Sequence, residues 1–402
     1  MTALIVSRRI AAIHAATPVL EFLTASPQAL RQHKPGVANF LLGNPQQMPL
    51  PAFVDALQHW SVPQDKDWFA YHINGLEARA AVATTLRKRR NVPFDPDDIF
   101  LTNGATGGLA ITLGAVVDPG DEVVFISPPW FFYEAFILSS GGVPVRAKVD
   151  QATFDLDVDA IASACSPRTR AIIINSPHNP TGKIYPPRTL QQLSAALTAA
   201  SECNGRPIYL LSDEAYSRIV FDGCPYHSPT AFYPRSFLIY TYAKTLLTPG
   251  QRLGYVALPP TMPGREQMRG ALVLSQVVAG FAVANALLQH ALADLEKLSI
   301  DIAHLQQKRD RMVGALRGMG YEVHVPEGTF YLLPKSPWAD DRAFADVLLA
   351  HDILVLPGTW VELPGYVRLS LTANDEMIER SLPGFAAAWQ YATAHAPDAA
   401  KK

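Results

Sequence analysis

Lys244 stands just past a run of apolar and aromatic residues, Phe237–Tyr242, and that placement is the first chemical signal in the chain. Such a run reads as a buried strand, and a strand end can aim a lysine into a cleft. A lysine taken out of water gives up its charge readily and becomes a Schiff-base nucleophile. Arg252 follows eight residues later, just after Pro249-Gly250, where its fork of donors could clamp a phosphate. A surface lysine beside an ordinary loop arginine fits this stretch about as well, so the other strand ends have to decide.

Four of them carry residues with chemical capacity. Phe100-Leu101-Thr102-Asn103 leads into Gly104-Ala105-Thr106-Gly107-Gly108 and then a helix expected over 109–117. Free N–H groups at a helix start favour an anion, although the glycines do not spell a dinucleotide fingerprint. The strand expected over 121–126 ends in Pro128-Pro129-Trp130-Phe131-Phe132-Tyr133. Aromatics there could stack on a flat ring, and core packing is the competing reading, preferred for Phe131 and Phe132. The strand over 170–175 runs into Ser176-Pro177-His178-Asn179-Pro180-Thr181-Gly182, a loop stiffened by prolines, in which Asn179 can donate or accept. A fourth, over 208–211, ends in Ser212-Asp213-Glu214-Ala215-Tyr216. Asp213 and Tyr216 are three residues apart and could face one ligand, or Asp213 could merely cap the next turn. Further along, Arg368 interrupts the apolar Val367-Arg368-Leu369 and needs a carboxylate from the protein or a ligand. Gly43 and Tyr71, each near a turn, are weaker signals.

The elements that must position these residues follow from patterning. A helix is expected over 76–90, and strands then alternate with helices, one of them over 186–204, through 95–260, which argues for an α/β fold with a mostly parallel sheet covered by helices on both faces. Beyond 265 the pattern is helical, with one long amphipathic stretch expected over 291–319, then short strands over 321–325, 329–333, 353–356 and 366–371. That region reads as a smaller α+β domain. The expected division is 1–48 as an N-terminal segment of the small domain, 49–285 as the large domain, and 286–402 as the rest of the small one.

Composition narrows the function classes. The chain has 402 residues, 49% hydrophobic and 17% charged, with a net charge of −2. This supports a large core and argues against a nucleic-acid or membrane-surface binder. The short basic run Arg87–Arg90 complements a helix C-terminus. Three cysteines without CxxC spacing suggest a reducing compartment. With no stretch of membrane-spanning length and no signal-peptide pattern, a cytoplasmic protein is the expectation. No G-x-S-x-G elbow, H-E-x-x-H zinc helix or Walker loop occurs, so hydrolase, metal-centred and P-loop readings lack support.

Taken together, Ser-Pro-His-Asn-Pro-Thr-Gly at 176–182, Ser-Asp-Glu-Ala-Tyr at 212–216, and Thr-Tyr-Ala-Lys at 241–244 with Arg252 resemble the fold-type I pyridoxal-phosphate enzymes, specifically the aspartate aminotransferase-like class I/II aminotransferases. The resemblance spans about Gly43 to Arg368. It implies pyridoxal 5′-phosphate as cofactor, held by Lys244 as an internal aldimine, with Lys244 later carrying the proton from the substrate Cα. It implies that Asp213 pairs with the pyridine nitrogen, that Tyr216 and Asn179 bond the ring oxygen, and that Trp130 stacks on the ring. Arg252, Thr241 and the backbone around Gly104, Ala105 and Thr106 would hold the phosphate. Arg368 would fork onto the substrate α-carboxylate, with Gly43, Asn179 and Trp130 beside it. Thr241 stands where the family usually has serine and keeps the hydroxyl. Tyr71 is the candidate to reach the phosphate of a second subunit in a homodimer, at an offset from Gly75 one residue shorter than usual. The implied reaction moves the amino group of an L-amino acid to a 2-oxo acid. A β-elimination lyase, synthase or oxidase on the same scaffold is the alternative, and a cofactor-binding regulator would need a DNA-binding module for which the N-terminal segment leaves little room.

Overall fold

Runs such as Val123–Ile126 and Ile172–Ile174 have no polar face because both sides of their sheet are covered. In the computed structural model, which describes residues 5–90 and 92–395, seven strands form the main sheet: β1 (Ile99–Thr102), β2 (Glu122–Ser127), β3 (Val143–Lys148), β4 (Thr169–Asn175), β5 (Tyr209–Asp213), β6 (Ser236–Thr241) and β7 (Gly254–Ala257). Their spatial order is β1-β7-β6-β5-β4-β2-β3. On one face Phe125, Ile173, Leu211 and Ile239 meet Leu109, Ile111 and Leu113 of the helix Gly104–Val116. On the other, Val124, Ile172, Ile174 and Leu210 meet Leu190, Leu193 and Leu197 of the helix Pro187–Cys203.

β2 to β6 pair in parallel, and β7 runs antiparallel to both β6 and β1. The reason lies in the connection. Parallel pairing needs a long crossover, usually helical. The segment from Thr241 to Gly254 holds only a short 3-10 turn at Pro249–Gln251 and brings the chain straight back. It therefore leaves Lys244 and Arg252 at the edge where β1, β2, β4, β5 and β6 all end. Open α/β sheets bind ligands at that edge.

A second sheet is antiparallel, in the order β10-β11-β9-β8, from β8 (Val323–His324), β9 (Tyr331–Pro334), β10 (Leu356–Pro357) and β11 (Val367–Ser370). Ala38–Asn39 pairs in parallel with Ile353–Leu354, tying the N-terminal segment to this later region.

Two expectations need correction, and one strand was not expected. The helix expected from 109 starts at Gly104, so Gly107 and Gly108 lie within it rather than in a preceding turn. A Cβ on Gly108 would stand 2.7 Å from Ile239 Cγ2, so the glycine lets the helix lie close against β6. The amphipathic stretch 291–319 is two helices, Ala286–Leu295 and Ile302–Met319, because Asp301 caps the second by accepting from His304 N at 2.9 Å. β3 has no counterpart in the sequence reading. It is an edge strand carrying Pro144, Arg146 and Lys148, and its partial exposure breaks both the apolar run and the alternation.

Candidate active site

Asp213, Thr241 and Asn175 are strand-end residues, with Thr241 two residues beyond Ile239, the partner of Asp213. Asn175 lies opposite Asp213, and Thr241 opposite Gly254, which in turn faces Thr102. This edge and the loops after it line one pocket, shared by Ala105, Thr106, Trp130, Asn179, Asp213, Tyr216, Thr241, Lys244 and Arg252. Nine of the residues singled out from sequence therefore meet in one cavity.

Asp213 is buried, and its two oxygens accept from Tyr133 Oη at 2.6 Å and Ala215 N at 3.1 Å. Burial raises its pKa, against the hydrogen bonds and the Lys244 charge. Its neighbour Glu214 is turned instead to Arg90, at 3.0 Å, and to Ser212, and is a structural ion pair. From sequence Tyr133 is one of the aromatics that could stack on a flat ring or pack in the core, with no expectation of a bond to Asp213. Its place one helical turn after Trp130 is the signal that could have revealed it. Burial, then Asp213, pushes the Tyr133 phenol well up, so it stays a donor.

At the other end, Arg252 adopts a left-handed backbone with φ 54°. Its guanidinium donates to Thr106 Oγ1 at 2.7 Å, Pro249 O at 2.8 Å and Asn103 O at 3.3 Å, all neutral acceptors. Burial lowers its pKa. A Cβ on Gly104 would lie 3.0 Å from Arg252 Nη2 and 3.4 Å from Thr241 Oγ1, so the missing side chain leaves room where a helix start, a hydroxyl and a guanidinium converge. Between the two ends, Lys244 Nζ sits 5.6 Å from the Tyr216 ring centre and 5.7 Å from that of Phe330.

Arg368 is 1% exposed and joins the site through Asn179, whose Oδ1 accepts from Nη1 at 3.2 Å. Nη2 donates to Leu41 O at 3.3 Å, Nε has no partner among the described residues, and the Tyr331 ring lies 4.1 Å from Cζ. None of these partners is a carboxylate. A buried arginine with unused donors is the feature a substrate carboxylate would satisfy. Gly43 packs on Phe330 and Tyr331, and a Cβ there would come within 2.8 Å of both side chains. Tyr71 does not line the pocket and is fully exposed on this chain.

The donor set suits a flat, phosphorylated, basic heterocycle. It offers anion donors at one end, a buried carboxylate at the other, and an indole and a lysine between.

A family model described as aminotransferase class I and II matches residues 36–383. The aspartate/prephenate aminotransferase of Thermus thermophilus is 30% identical, over 94% of this chain and 97% of its own length. Among solved structures, an amino transferase from Eubacterium rectale aligns with a TM-score of 0.86 at 28% identity, covering 97% of this chain and 99% of that one. An aspartate aminotransferase from Thermus thermophilus, solved with maleate, aligns at 0.83 and 25% identity, covering 96% and 100%.

Proposed function

We infer, from the premise that this chain belongs to the class I and II aminotransferase family, that the pocket beside Lys244 is its active site and that pyridoxal 5′-phosphate is the cofactor held there. The family and the named relatives make the chain an aminotransferase, passing an amino group from an amino acid to a 2-oxo acid. One observation carries the assignment of the site. Asp213 and Arg368 are buried and have no oppositely charged hydrogen-bond partner among the described residues; Asp213 lines the pocket of Lys244, and Arg368 reaches that pocket through Asn179.

When bound, the cofactor supplies a protonated ring that takes up the electron pair left as the substrate Cα–H bond breaks. Asp213 would hold the proton on the ring nitrogen, and Tyr133 holds Asp213 in place. Lys244 would attach the cofactor and then accept the Cα proton at Nζ. Arg368 would take the α-carboxylate on the donors left over from Asn179 and Leu41. Asn179 and Tyr216 would address the ring oxygen, and Trp130 would cover the ring. Arg252, Thr241 and the N–H groups at Gly104, Ala105 and Thr106 would hold the phosphate, with Gly43 leaving space on the substrate side.

The wider reading is a homodimer in which Tyr71 reaches the partner's phosphate site. It keeps the division 1–48, 49–285 and 286–402, supported by the pairing of Ala38–Asn39 with Ile353–Leu354. The extreme ends, 1–4 and 396–402, lie outside the described residues. No helix of the described residues is long and apolar enough to cross a membrane. The free cysteines Cys165, Cys203 and Cys224 support a cytoplasmic setting.

An absorption spectrum of the purified protein tests the reading. A yellow band is expected that aspartate or another amino acid bleaches and a 2-oxo acid restores. Lys244→Ala should lack both the band and turnover while keeping its circular dichroism. Turnover without an amino acceptor would favour elimination or oxidation. No band after adding pyridoxal phosphate, or full activity in Lys244→Ala, would refute the assignment.

A further inference from the structure

Tyr331 is buried, lies in the second sheet rather than at the pocket edge, and touches both ends of the substrate machinery. On β9 it pairs with Ser370 of β11, two residues from Arg368, so the two side chains share a face as diagonal neighbours. Its ring covers the guanidinium at 4.1 Å. Its hydroxyl accepts from Tyr216 Oη at 3.5 Å, with the two rings 5.9 Å apart in a near-perpendicular arrangement. The bare backbone of Gly43 leaves that hydroxyl its room, since a Cβ would stand 2.8 Å from it.

We propose that Tyr331 is a positioning residue that seats Arg368 for the α-carboxylate and links it to Tyr216, so that filling the arginine is felt where Tyr216 meets the cofactor. The inference rests on the cofactor reading above. Two physical effects support it. A desolvated cation over an aromatic face is held in place by the ring. A hydroxyl between a cation and a second hydroxyl responds to that cation's charge.

The charged and titratable groups facing the pair act consistently. Burial raises the Tyr331 phenol, but the charges of Arg368 and Lys244 and the hydrogen bond from Tyr216 outweigh it and hold it below its usual value. The Tyr216 phenol is pushed well up by burial, then by Tyr331 and Asp213, against Arg368. Tyr133 also lies within reach of Tyr216 electrostatically. In the hydrogen bond between them Tyr216 is the donor and Tyr331 the acceptor. A carboxylate on Arg368 removes the positive field, makes Tyr331 a different acceptor, and changes how firmly Tyr216 donates to the cofactor oxygen.

The test titrates the yellow band against pH, alone and with maleate or 3-phenylpropanoate, in wild type, Tyr331→Phe and Tyr331→Leu. In wild type a carboxylate should raise the spectral midpoint. Tyr331→Phe keeps the ring and loses the hydroxyl. Its carboxylate-free midpoint should fall by about half a pH unit, because Tyr216 loses a competing acceptor, and the carboxylate-induced shift should drop to less than about half. Tyr331→Leu also loses the ring, and KM for the amino acid should rise roughly tenfold, with a smaller change in kcat. Wild-type midpoints in Tyr331→Phe, or a wild-type spectrum unmoved by either carboxylate, would overturn the link. An unchanged KM in Tyr331→Leu would overturn the seating role; should that variant fail to fold, the isosteric Phe variant still decides the link. A wild type with no band would instead fail the cofactor reading itself.

Discussion

A buried carboxylate is tolerable only when something satisfies it, and Asp213 has a phenol and one backbone N–H for that purpose. Its unmet demand is the residue-scale reason to expect a cationic ring nitrogen beside it. His178, in the same proline-stiffened loop as Asn179, shows the opposite solution. It is buried with Nδ1 2.8 Å from Thr181 Oγ1. Burial lowers its pKa to about 4, only partly opposed by the Pro128 carbonyl. The folded protein therefore holds His178 neutral at pH values where the unfolded chain protonates it. The unfolded state binds the extra proton between about pH 6.5 and 4, so stability falls as pH falls through that window, by roughly 3 kcal/mol when complete. Thermal midpoints of wild type and His178→Gln across pH 4–7.5 check this. The wild type should lose more than the variant below pH 6.5, and parallel curves would exclude His178 as the cause. Lys244, Asp213 and Asn179 were legible in the sequence because each stands at or just past the end of an apolar strand, and Arg252 because it follows Pro249-Gly250 close to Lys244. The hydroxyl roles of Tyr133, read as a stacking or packing aromatic, and of Tyr331 were not, because an aromatic ring says nothing of its hydroxyl partner until the fold is known.

The start of the helix Gly104–Val116 forms the end of the pocket proposed to hold the phosphate, so the packing of that helix against β6 matters to the site. Gly108 permits it. An added methyl would press on Ile239 Cγ2 at 2.7 Å and Val256 Cγ2 at 3.2 Å. Gly108→Ala should cost about 1–3 kcal/mol through overpacking and loosen cofactor binding, because the helix start has to move. Gly314, in the helix Ile302–Met319, faces open space, and a Cβ there would meet nothing within 4 Å. Gly314→Ala should stabilise by about 0.5–1 kcal/mol, since alanine loses less backbone freedom in a helix. Denaturant melts with cofactor titration would separate the two, and equal effects would remove the packing role of Gly108. At this scale the sequence carried the buried strands well, since a continuous apolar run marks a strand covered on both faces. It failed at β3, whose outer edge admits Pro144, Arg146 and Lys148, and at the break before Ile302, where the apolar period continues while Asp301 restarts the helix. Periodicity reports burial and says little about caps or sheet edges.

A single copy of the chain leaves a strip of apolar surface beside the site. Leu274, Val277 and Val278 on the helix Arg265–Ala279, and Phe281 just beyond it, are exposed, Val278 by 82%. Phe69, Tyr71, Ile73 and Leu76 are exposed as well. The two groups are tied together, since Asn74 Nδ2 donates to Gln276 Oε1 at 2.8 Å. They also reach the Arg252 end of the pocket, because Asn103 bonds both Phe281 O and, through its own carbonyl, Arg252. Apolar surface of this extent is unusual on a monomer and marks a face meant to be covered. The proposed homodimer would cover it with a second copy and bring Tyr71, which does not line the pocket of its own chain, toward the partner's pocket. Sedimentation velocity should then give a particle of about twice the 43.8 kDa chain mass. Val278→Asp places a charge in the covered strip. It should shift the protein toward monomer at micromolar concentration and lose cofactor along with the partner, although Val278 lies outside the pocket lining. A wild type that sediments as a monomer with full activity would overturn the shared site. A Val278→Asp variant that remains a dimer and holds cofactor normally would place the interface on another face.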